Sequence, residues 1–210
     1  VVAGVPHYVP NDAVETDAYR RPVRLAGGVA NGASVKAGEV LWSGAVISGD
    51  FVFVNRWKWN FSHPTRGEIM VFSTTGIQGL MQGTHYIKRM TGLPNETLQI
   101  KAPNLVINGE VVVQPPRMGQ IARREAVWPG QPAYAGFNPS GTRQVYFPGQ
   151  SLATEQDRVT LKADEYYAMG DNSFNSFDSR YWGPVPERNL LGPATVVYWP
   201  FTSPRFGWIR

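Results

Sequence analysis

The sequence predicts a mainly β protein, and three observations support this class. Short runs rich in Val, Ile, Phe, Tyr and Thr recur along the chain and are interrupted by turn residues. The 22 Gly and 17 Pro residues supply many turns. No segment shows the sustained apolar period of a long amphipathic helix. We therefore expect antiparallel sheets around one core, with irregular insertions.

The elements follow in chain order. Residues 1–21 are polar and aperiodic, so a loop or an extended segment is expected there. Asn108-Gly109 stands between two apolar runs and predicts a two-residue hairpin turn. The predicted strands are 22–26, 39–46, 51–55, 68–73, 85–90, 97–101, 105–113 (which contains that turn), 159–162, 166–169 and 195–198.

Residues 114–157 differ from the rest of the chain because Pro and Gly recur throughout them. We expect a loop-rich insertion there, with a short turn at 122–127. The predicted organisation is thus an N-terminal insertion or extended segment at 1–48, a β core at 49–113 and 158–210 in which the motifs described below would place any catalytic residues, and the inserted region at 114–157.

The composition excludes several classes of protein. Hydrophobic residues make up 42% and charged residues 17% of the chain, which argues against disorder and against a coiled coil. The net charge is +4 without a basic block, so no nucleic-acid partner is expected, although a mild basic bias suits an anionic membrane. The chain has no Cys and only three dispersed His residues. We therefore expect no disulfide, no cysteine nucleophile and no histidine-rich metal site.

The pentapeptide 86–90 contains a lysine in an unusual setting. On a strand, Tyr86, Lys88 and Met90 share one face. If that face is buried, desolvation lowers the pKa of Lys88 and makes the neutral amine available as a general base. The alternative is an edge lysine whose ammonium group reaches solvent.

The segment 169–183 is rich in Asn, Ser and Asp, which build rigid turns through bonds to their own backbone. Asp178 and Arg180 carry opposite charges and lie two residues apart, so they could form a local ion pair. The segment is either a well-ordered surface loop or a shell that orients a catalytic side chain.

Taken together, an ordered series of motifs between Gly49 and the end of the chain resembles the type I signal peptidases. The motifs that carry this resemblance are Gly49-Asp50 with the strand that follows, Arg66-Gly67-Glu68, Tyr86-Ile87-Lys88-Arg89, Gly92-Leu93-Pro94, Ile107-Asn108-Gly109 and Met169-Gly170-Asp171-Asn172 through Arg180-Tyr181-Trp182-Gly183.

The resemblance implies a signal-peptidase-like antiparallel β fold and a serine endopeptidase that uses a Ser/Lys dyad. Such enzymes cut signal peptides from exported preproteins after Ala-x-Ala, at the bacterial inner membrane with the catalytic domain on the periplasmic side. By matching motif positions, Lys88 is the general base and Ser176 orients it. Asp171, Asp178 and Arg180 are then expected to support the site, whereas Val52, Val71 and Ile87 are expected to line the pockets for small side chains. Signal peptides and the lipid surface are the implied partners. The resemblance further implies that no metal or cofactor is needed.

The sequence departs from this family where the nucleophile is expected. The family's Ser-Met-x-Pro-Thr box ends just before Gly-Asp, but residues 41–48 here are Leu-Trp-Ser-Gly-Ala-Val-Ile-Ser. Three hypotheses follow. In the first, residues 1–48 are an insertion, and the nucleophile and the membrane anchor lie upstream of Val1. In the second, the protein is an inactive relative that binds signal peptides or exported chains. In the third, Ser43 or Ser48 is a displaced nucleophile.

Other classes of protein agree less well with these residues. A Ser/His/Asp triad through His85 has no supporting motif, and no run of about 18 apolar residues predicts a membrane span. A purely structural β domain would not need the lysine motif. The aromatic run 57–61 suits either a membrane interface or the core. The aromatic residues Trp199, Phe201, Phe206 and Trp208 are expected to pack in the core or at the chain end.

Overall fold

The computed structural model of the chain describes residues 14–16, 22–25, 34, 36, 50–126, 133–141, 150–201, 203 and 205–209. The chain divides into two compact units, Val1–Gly49 and Asp50–Arg210. In the first unit, strands Val14–Thr16 and Pro22–Leu25 pair in antiparallel fashion. The predicted strand 39–46 and the candidate nucleophiles Ser43 and Ser48 lie outside the described residues.

The described strands, numbered along the chain, are β1 (Val14–Thr16), β2 (Pro22–Leu25), β3 (Phe51–Val54), β4 (Ile69–Ser73), β5 (His85–Gly92), β6 (Thr97–Lys101), β7 (Asn104–Ile107), β8 (Glu110–Val111), β9 (Val159–Thr160), β10 (Glu165–Met169), β11 (Val185–Pro186), β12 (Leu190–Trp199) and β13 (Gly207–Trp208). The described helices are α1 (Lys58–Phe61), α2 (Pro116–Ala122) and α3 (Ser179–Trp182), and one 3-10 turn spans Glu187–Asn189.

Two antiparallel sheets form the second unit, as the mainly β prediction expected. The larger sheet has the order β11-β10-β5-β4-β12-β13, and β3 also pairs with β12. One face of this sheet packs on a core that includes Met70, Phe72, Met90 and Trp182. The sheet matters for the site because β4 and β5 pair in a continuous register, with Met70 opposite Lys88 and Val71 opposite Ile87.

The smaller sheet has the order β8-β7-β6-β9. Ile107 pairs with Glu110 across the predicted two-residue turn. Both turn residues have positive φ, 53° at Asn108 and 92° at Gly109, as a type I′ hairpin turn requires. This hairpin prediction is confirmed.

The region 114–157 contains more regular structure than its composition suggested. Residues 116–122 form α2, whereas the sequence suggested only a short turn at 122–127. Pro116 occupies the start of the helix, where its missing N–H has no helical partner to lose. Met118 and Ile121 are buried in a second core together with residues of the smaller sheet. Part of this region therefore contributes to the core.

Strand β12 is longer than predicted and extends back to Leu190. Gly192 and Pro193 lie inside it, and both are weak strand formers. A Cβ at Gly192 would lie 2.3 Å from the carbonyl oxygen of Asn55, so only glycine allows this close approach. Gly192 lies near the point where β12 stops pairing with β4 and begins to pair with β3.

The aromatic residues near the chain end are exposed, so of the two expected placements the core is wrong and packing at the chain end is found. Trp208 keeps 77% and Phe201 67% of its surface accessible. The Phe201 ring packs between two others, with its centroid 5.0 Å from that of Trp199 and 5.2 Å from that of Phe206. Among the described residues, no helix is long and apolar enough to cross a membrane.

Candidate active site

Lys88 lies in the middle of β5, where the sheet half-buries its side chain. It lines a pocket of about 170 Å³ with Ile69, Ile87, Arg89, Gly170 and Asp171. Burial lowers the pKa of the Lys88 ammonium group because the charged form loses hydration. The carboxylate of Asp178 opposes this shift, Arg180 adds to it, and Asp171 opposes it. A lysine in this setting is more readily neutral, and thus a better base, than one in solvent.

Asp178 and Arg180 form a fully buried ion pair at the start of α3. Arg180 Nε donates to Asp178 Oδ1 and Nη2 donates to Oδ2, each at 2.8 Å. The Asp178 carboxylate also caps the helix by accepting from the backbone N–H of Arg180. The N–H of Gly170, just after β10, donates to Asp178 Oδ2 at 3.0 Å. The pair therefore fixes the segment 170–180 against the strand that precedes it.

Ser176 is buried, and its hydroxyl has no hydrogen-bond partner among the described residues. The hydroxyl lies against Gly170, since a Cβ added at Gly170 would be 2.2 Å from Ser176 Oγ. Gly170 also lines the Lys88 pocket. Lys88, the predicted base, and Ser176, the residue predicted to orient it, therefore both lie beside Gly170, but the Ser176 hydroxyl makes no hydrogen bond to Lys88 in this structure.

Asp171 lies across the pocket from Lys88 and binds Arg89 in a bidentate ion pair. Arg89 Nε and Nη2 donate to the two carboxylate oxygens, each at 2.7 Å. Arg89 also donates from Nη1 to the Gly67 carbonyl at 2.6 Å. Sequence reasoning gave Arg89 no role in the site, although it belongs to the lysine motif. A contact across 82 residues could not be inferred from strand alternation.

An apolar groove of about 450 Å³ adjoins this pocket, and Ile87 lines both. Val52 from β3, Val71 from β4 and Ile87 from β5 all line it, so the three predicted substrate-binding residues converge there. Asp50, Val54, His85, Tyr86 and Arg205 complete its lining. Asp50 and Arg205 were not predicted as site residues. Asp50 could have been found, because it shares the alternating face of β3 with Val52 and Val54.

A short stretch of the inserted region, residues 133–141, is bound to the same site. Arg180 Nη1 donates to the Asn138 carbonyl at 2.6 Å. The Asn138 amide donates to Ser173 Oγ at 2.8 Å, and this hydroxyl donates to the Gly136 carbonyl at 2.6 Å. Phe137 is buried in the second core. Sequence reasoning missed this support because nothing local connects residue 138 with residue 180.

The family model described as signal peptidase, peptidase S26, matches residues 42–199, which is most of the chain. The curated relative "Signal peptidase I" of Leptolyngbya laminosa is 30% identical over 154 residues, covering 72% of this chain and 61% of the relative. "Probable signal peptidase I-2" of Synechocystis sp. is 31% identical over 159 residues, covering 75% and 58%. "Signal peptidase I T" of Bacillus subtilis is 30% identical over 158 residues, covering 75% and 68%.

Among solved structures, the crystal structure of a signal peptidase I from Enterococcus faecalis matches with a TM-score of 0.42 at 25% identity. It covers 64% of this chain and 98% of that chain. The chain spans about three-fifths of the length of the two cyanobacterial relatives. With the family model matched over most of its length, the chain belongs to the signal peptidase family, peptidase S26.

Proposed function

We propose that this chain forms the catalytic core of a serine endopeptidase that removes signal peptides from exported preproteins at Ala-x-Ala sites. The observation that carries the proposal is the half-buried Lys88, whose pKa is lowered by burial, next to an apolar groove. A neutral amine can activate a serine hydroxyl without a histidine. The groove offers an open apolar surface for small side chains, lined by Val52, Val71 and Ile87.

In the proposed mechanism, a serine hydroxyl attacks the scissile carbonyl while neutral Lys88 takes its proton. Lys88 then returns this proton to the leaving amine, and backbone N–H groups near the serine hold the oxyanion. Ser176 orients the Lys88 amine, and the Asp178–Arg180 and Arg89–Asp171 pairs hold the surrounding backbone and charges. Ser43 and Ser48, which lie outside the described residues, are the candidates for the attacking serine within this sequence.

We further propose that the protein acts at the bacterial inner membrane, with this domain on the periplasmic side. The aromatic run at α1 supports contact with lipid, because Trp57 is 73% and Phe61 83% exposed. Tryptophan and phenylalanine next to Lys58 are typical of an interfacial segment. Trp59 has a different role, since it is half-buried and its indole N–H donates to Glu68.

The test is to incubate the 210-residue chain, and separately the full-length protein, with an Ala-x-Ala preprotein in detergent and to identify the products by mass spectrometry. Cleavage by the 210-residue chain would place the nucleophile inside it. Cleavage by the full-length protein alone would show that these 210 residues are not sufficient and would place the nucleophile outside them. Binding without cleavage by either protein would favour the inactive, signal-peptide-binding alternative.

In whichever protein cleaves, Lys88→Ala should abolish activity because the amine that takes the proton of the serine hydroxyl is lost. Ser176→Ala should reduce activity less than Lys88→Ala does, since an orienting hydroxyl takes no part in the proton transfer itself. Lys101→Ala, which removes an exposed lysine from β6, is the matched control. Turnover of the Lys88 variant at the wild-type rate would overturn the dyad assignment.

A further inference from the structure

The groove that adjoins the Lys88 pocket is apolar along most of its length but charged at Asp50 and Arg205. Asp50, just ahead of β3, has its side chain on the same face as Val52 and Val54 of β3, and all three line the groove. This side of the groove is therefore lined by two valines and, at its end, by a carboxylate. Arg205, from the turn between β12 and β13, lines the groove beside it.

The Asp50 carboxylate is largely covered by the groups that bind it. Ser203 Oγ donates to Oδ1 at 2.9 Å, and Arg205 Nε binds Oδ2 at 2.5 Å. The Asp50 side chain is 15% exposed, whereas the Arg205 side chain is 65% exposed. An incoming peptide therefore meets the guanidinium group rather than the carboxylate.

The Arg205 guanidinium has capacity for another acceptor. Its Nε binds Asp50, and among the described residues no further partner is recorded for its two terminal nitrogens. The backbone N–H of Arg205 donates to Ser203 Oγ, so the turn that carries the side chain is itself held to Asp50 through this serine. Two free N–H-bearing nitrogens in one plane match the two oxygens of a carboxylate.

We propose that Arg205 is a specificity-determining residue that binds an acidic side chain of the preprotein, near the small residues held by the apolar part of the groove. Asp50 positions the guanidinium and Ser203 secures the turn. The inference rests on the proposed function, because it takes the groove to be the preprotein site. It adds a charged subsite to that groove and predicts a preference for Glu or Asp at one substrate position.

Binding can be measured on the 210-residue chain itself, which keeps this test independent of the nucleophile. Fluorescent Ala-x-Ala peptides would carry Glu, Gln or Lys at one position at a time, and fluorescence anisotropy would give their affinities. At one position, wild-type protein should bind the Glu peptide about two- to fivefold more tightly than the Gln peptide, the range of a solvent-exposed ion pair. The preference should shrink as salt is added.

Variants assign this preference to Arg205. Arg205→Gln should remove the difference between Glu and Gln peptides, Arg205→Lys should retain part of it, and Arg205→Glu should favour the Lys peptide. Arg188→Gln is the matched control, because it removes the same charge from an exposed arginine that does not line the groove. Circular dichroism would show that each variant is folded.

The outcomes separate the inference from the proposed function. Equal binding of Glu and Gln peptides by wild-type protein at every position would overturn the inference without any variant. A preference that survives Arg205→Gln would overturn it as well. The proposed function would fail differently, through full cleavage by the Lys88→Ala protein, whatever the charge preference of the groove.

Discussion

At the scale of single residues, the charges around Lys88 decide how readily its amine is neutral. Burial lowers the pKa of Lys88, Asp178 and Asp171 raise it, and Arg180 lowers it. The base is active when it is neutral, so the rate should rise as the pH rises through the pKa of Lys88. Any change that removes a carboxylate nearby should move this rise to lower pH.

Asp171→Asn is the substitution that tests this sign. It removes a charge that raises the pKa of Lys88 and leaves the Arg89 cation without its partner, and both effects favour the neutral amine. The acidic limb of the kcat/KM profile should therefore move to lower pH. The variant should also lose about 1 to 3 kcal/mol of stability in chemical denaturation, since Arg89 is buried.

The control for this substitution is Asp164→Asn, which removes the same charge at an exposed position that does not line the Lys88 pocket. Its pH profile should coincide with that of the wild type. An acidic limb that stays in place or moves to higher pH in Asp171→Asn would show that Asp171 does not act on the base.

Gly170 gives a second test at the residue scale, because an added Cβ would lie 2.2 Å from Ser176 Oγ and 2.6 Å from its Cβ. Gly170→Ala should displace Ser176, reduce cleavage and cost about 1 to 3 kcal/mol of unfolding free energy. In a Ser176→Gly background the same substitution should cost much less, because the obstructing atoms are gone. An equal loss of unfolding free energy in both backgrounds would show that the added methyl group does not clash with the Ser176 side chain.

At the scale of elements, the stretch 133–141 supports the site from within the region that was expected to be a loop-rich insertion. Asn138 accepts from Arg180 through its carbonyl and donates through its amide to Ser173 Oγ and to the carbonyl groups of Ala135 and Gly136. The side chain thereby holds the carbonyl that receives the Arg180 guanidinium.

Asn138→Ala should therefore weaken the hold on Arg180 and cost about 1 to 2 kcal/mol in denaturant unfolding. Because Arg180 lowers the pKa of Lys88, a less fixed Arg180 should move the acidic limb of kcat/KM to higher pH. Asn60→Ala, at an exposed position of α1, should leave both properties nearly unchanged. If Asn138→Ala loses stability but the acidic limb of its kcat/KM profile does not move, Asn138 has a purely structural role.

Local sequence signals predicted elements well where the structure is locally determined. The hairpin turn at Asn108-Gly109 is such a case, because its φ angles depend on the two residues themselves. Strand β12 was predicted too short, because Gly192 and Pro193 are weak strand formers. In the structure, this part of the strand is maintained by its pairing with β4 and by the close approach of Asn55. Helix α2 was missed for a related reason, since its stability comes from burying Met118 and Ile121.

At the scale of the whole molecule, aromatic side chains remain exposed at the end of the larger sheet. Phe51 and Phe53 of β3, Trp199 of β12, Phe201 of the turn and Trp208 of β13 each keep 45% or more of their surface accessible. Exposed apolar groups grouped in this way are typical of a contact surface. They support the proposed contact with lipid alongside Trp57 and Phe61.

The double variant Phe201→Ser, Trp208→Ser should bind vesicles that contain anionic lipid at least tenfold more weakly, because burying even one such side chain contributes about 1.5 to 3 kcal/mol and about 1.4 kcal/mol is a tenfold change in affinity. Sedimentation with sucrose-loaded vesicles would measure this. Met81→Ser, at an apolar side chain that is 72% exposed outside this cluster, is the control. Unchanged vesicle binding by the double variant would show that Phe201 and Trp208 do not contact lipid.

The sequence by itself determined the class of fold, the family and the residues that match its motifs, because strand propensity, turn chemistry and motif order are local properties. The tertiary structure decided what surrounds those residues. Lys88 is half-buried because β4, β10 and the segment 170–180 meet around it, and Asp171 reaches Arg89 across 82 residues. Burial, pKa and groove shape depend on atoms brought together by distant segments, so spacing along the chain does not show them.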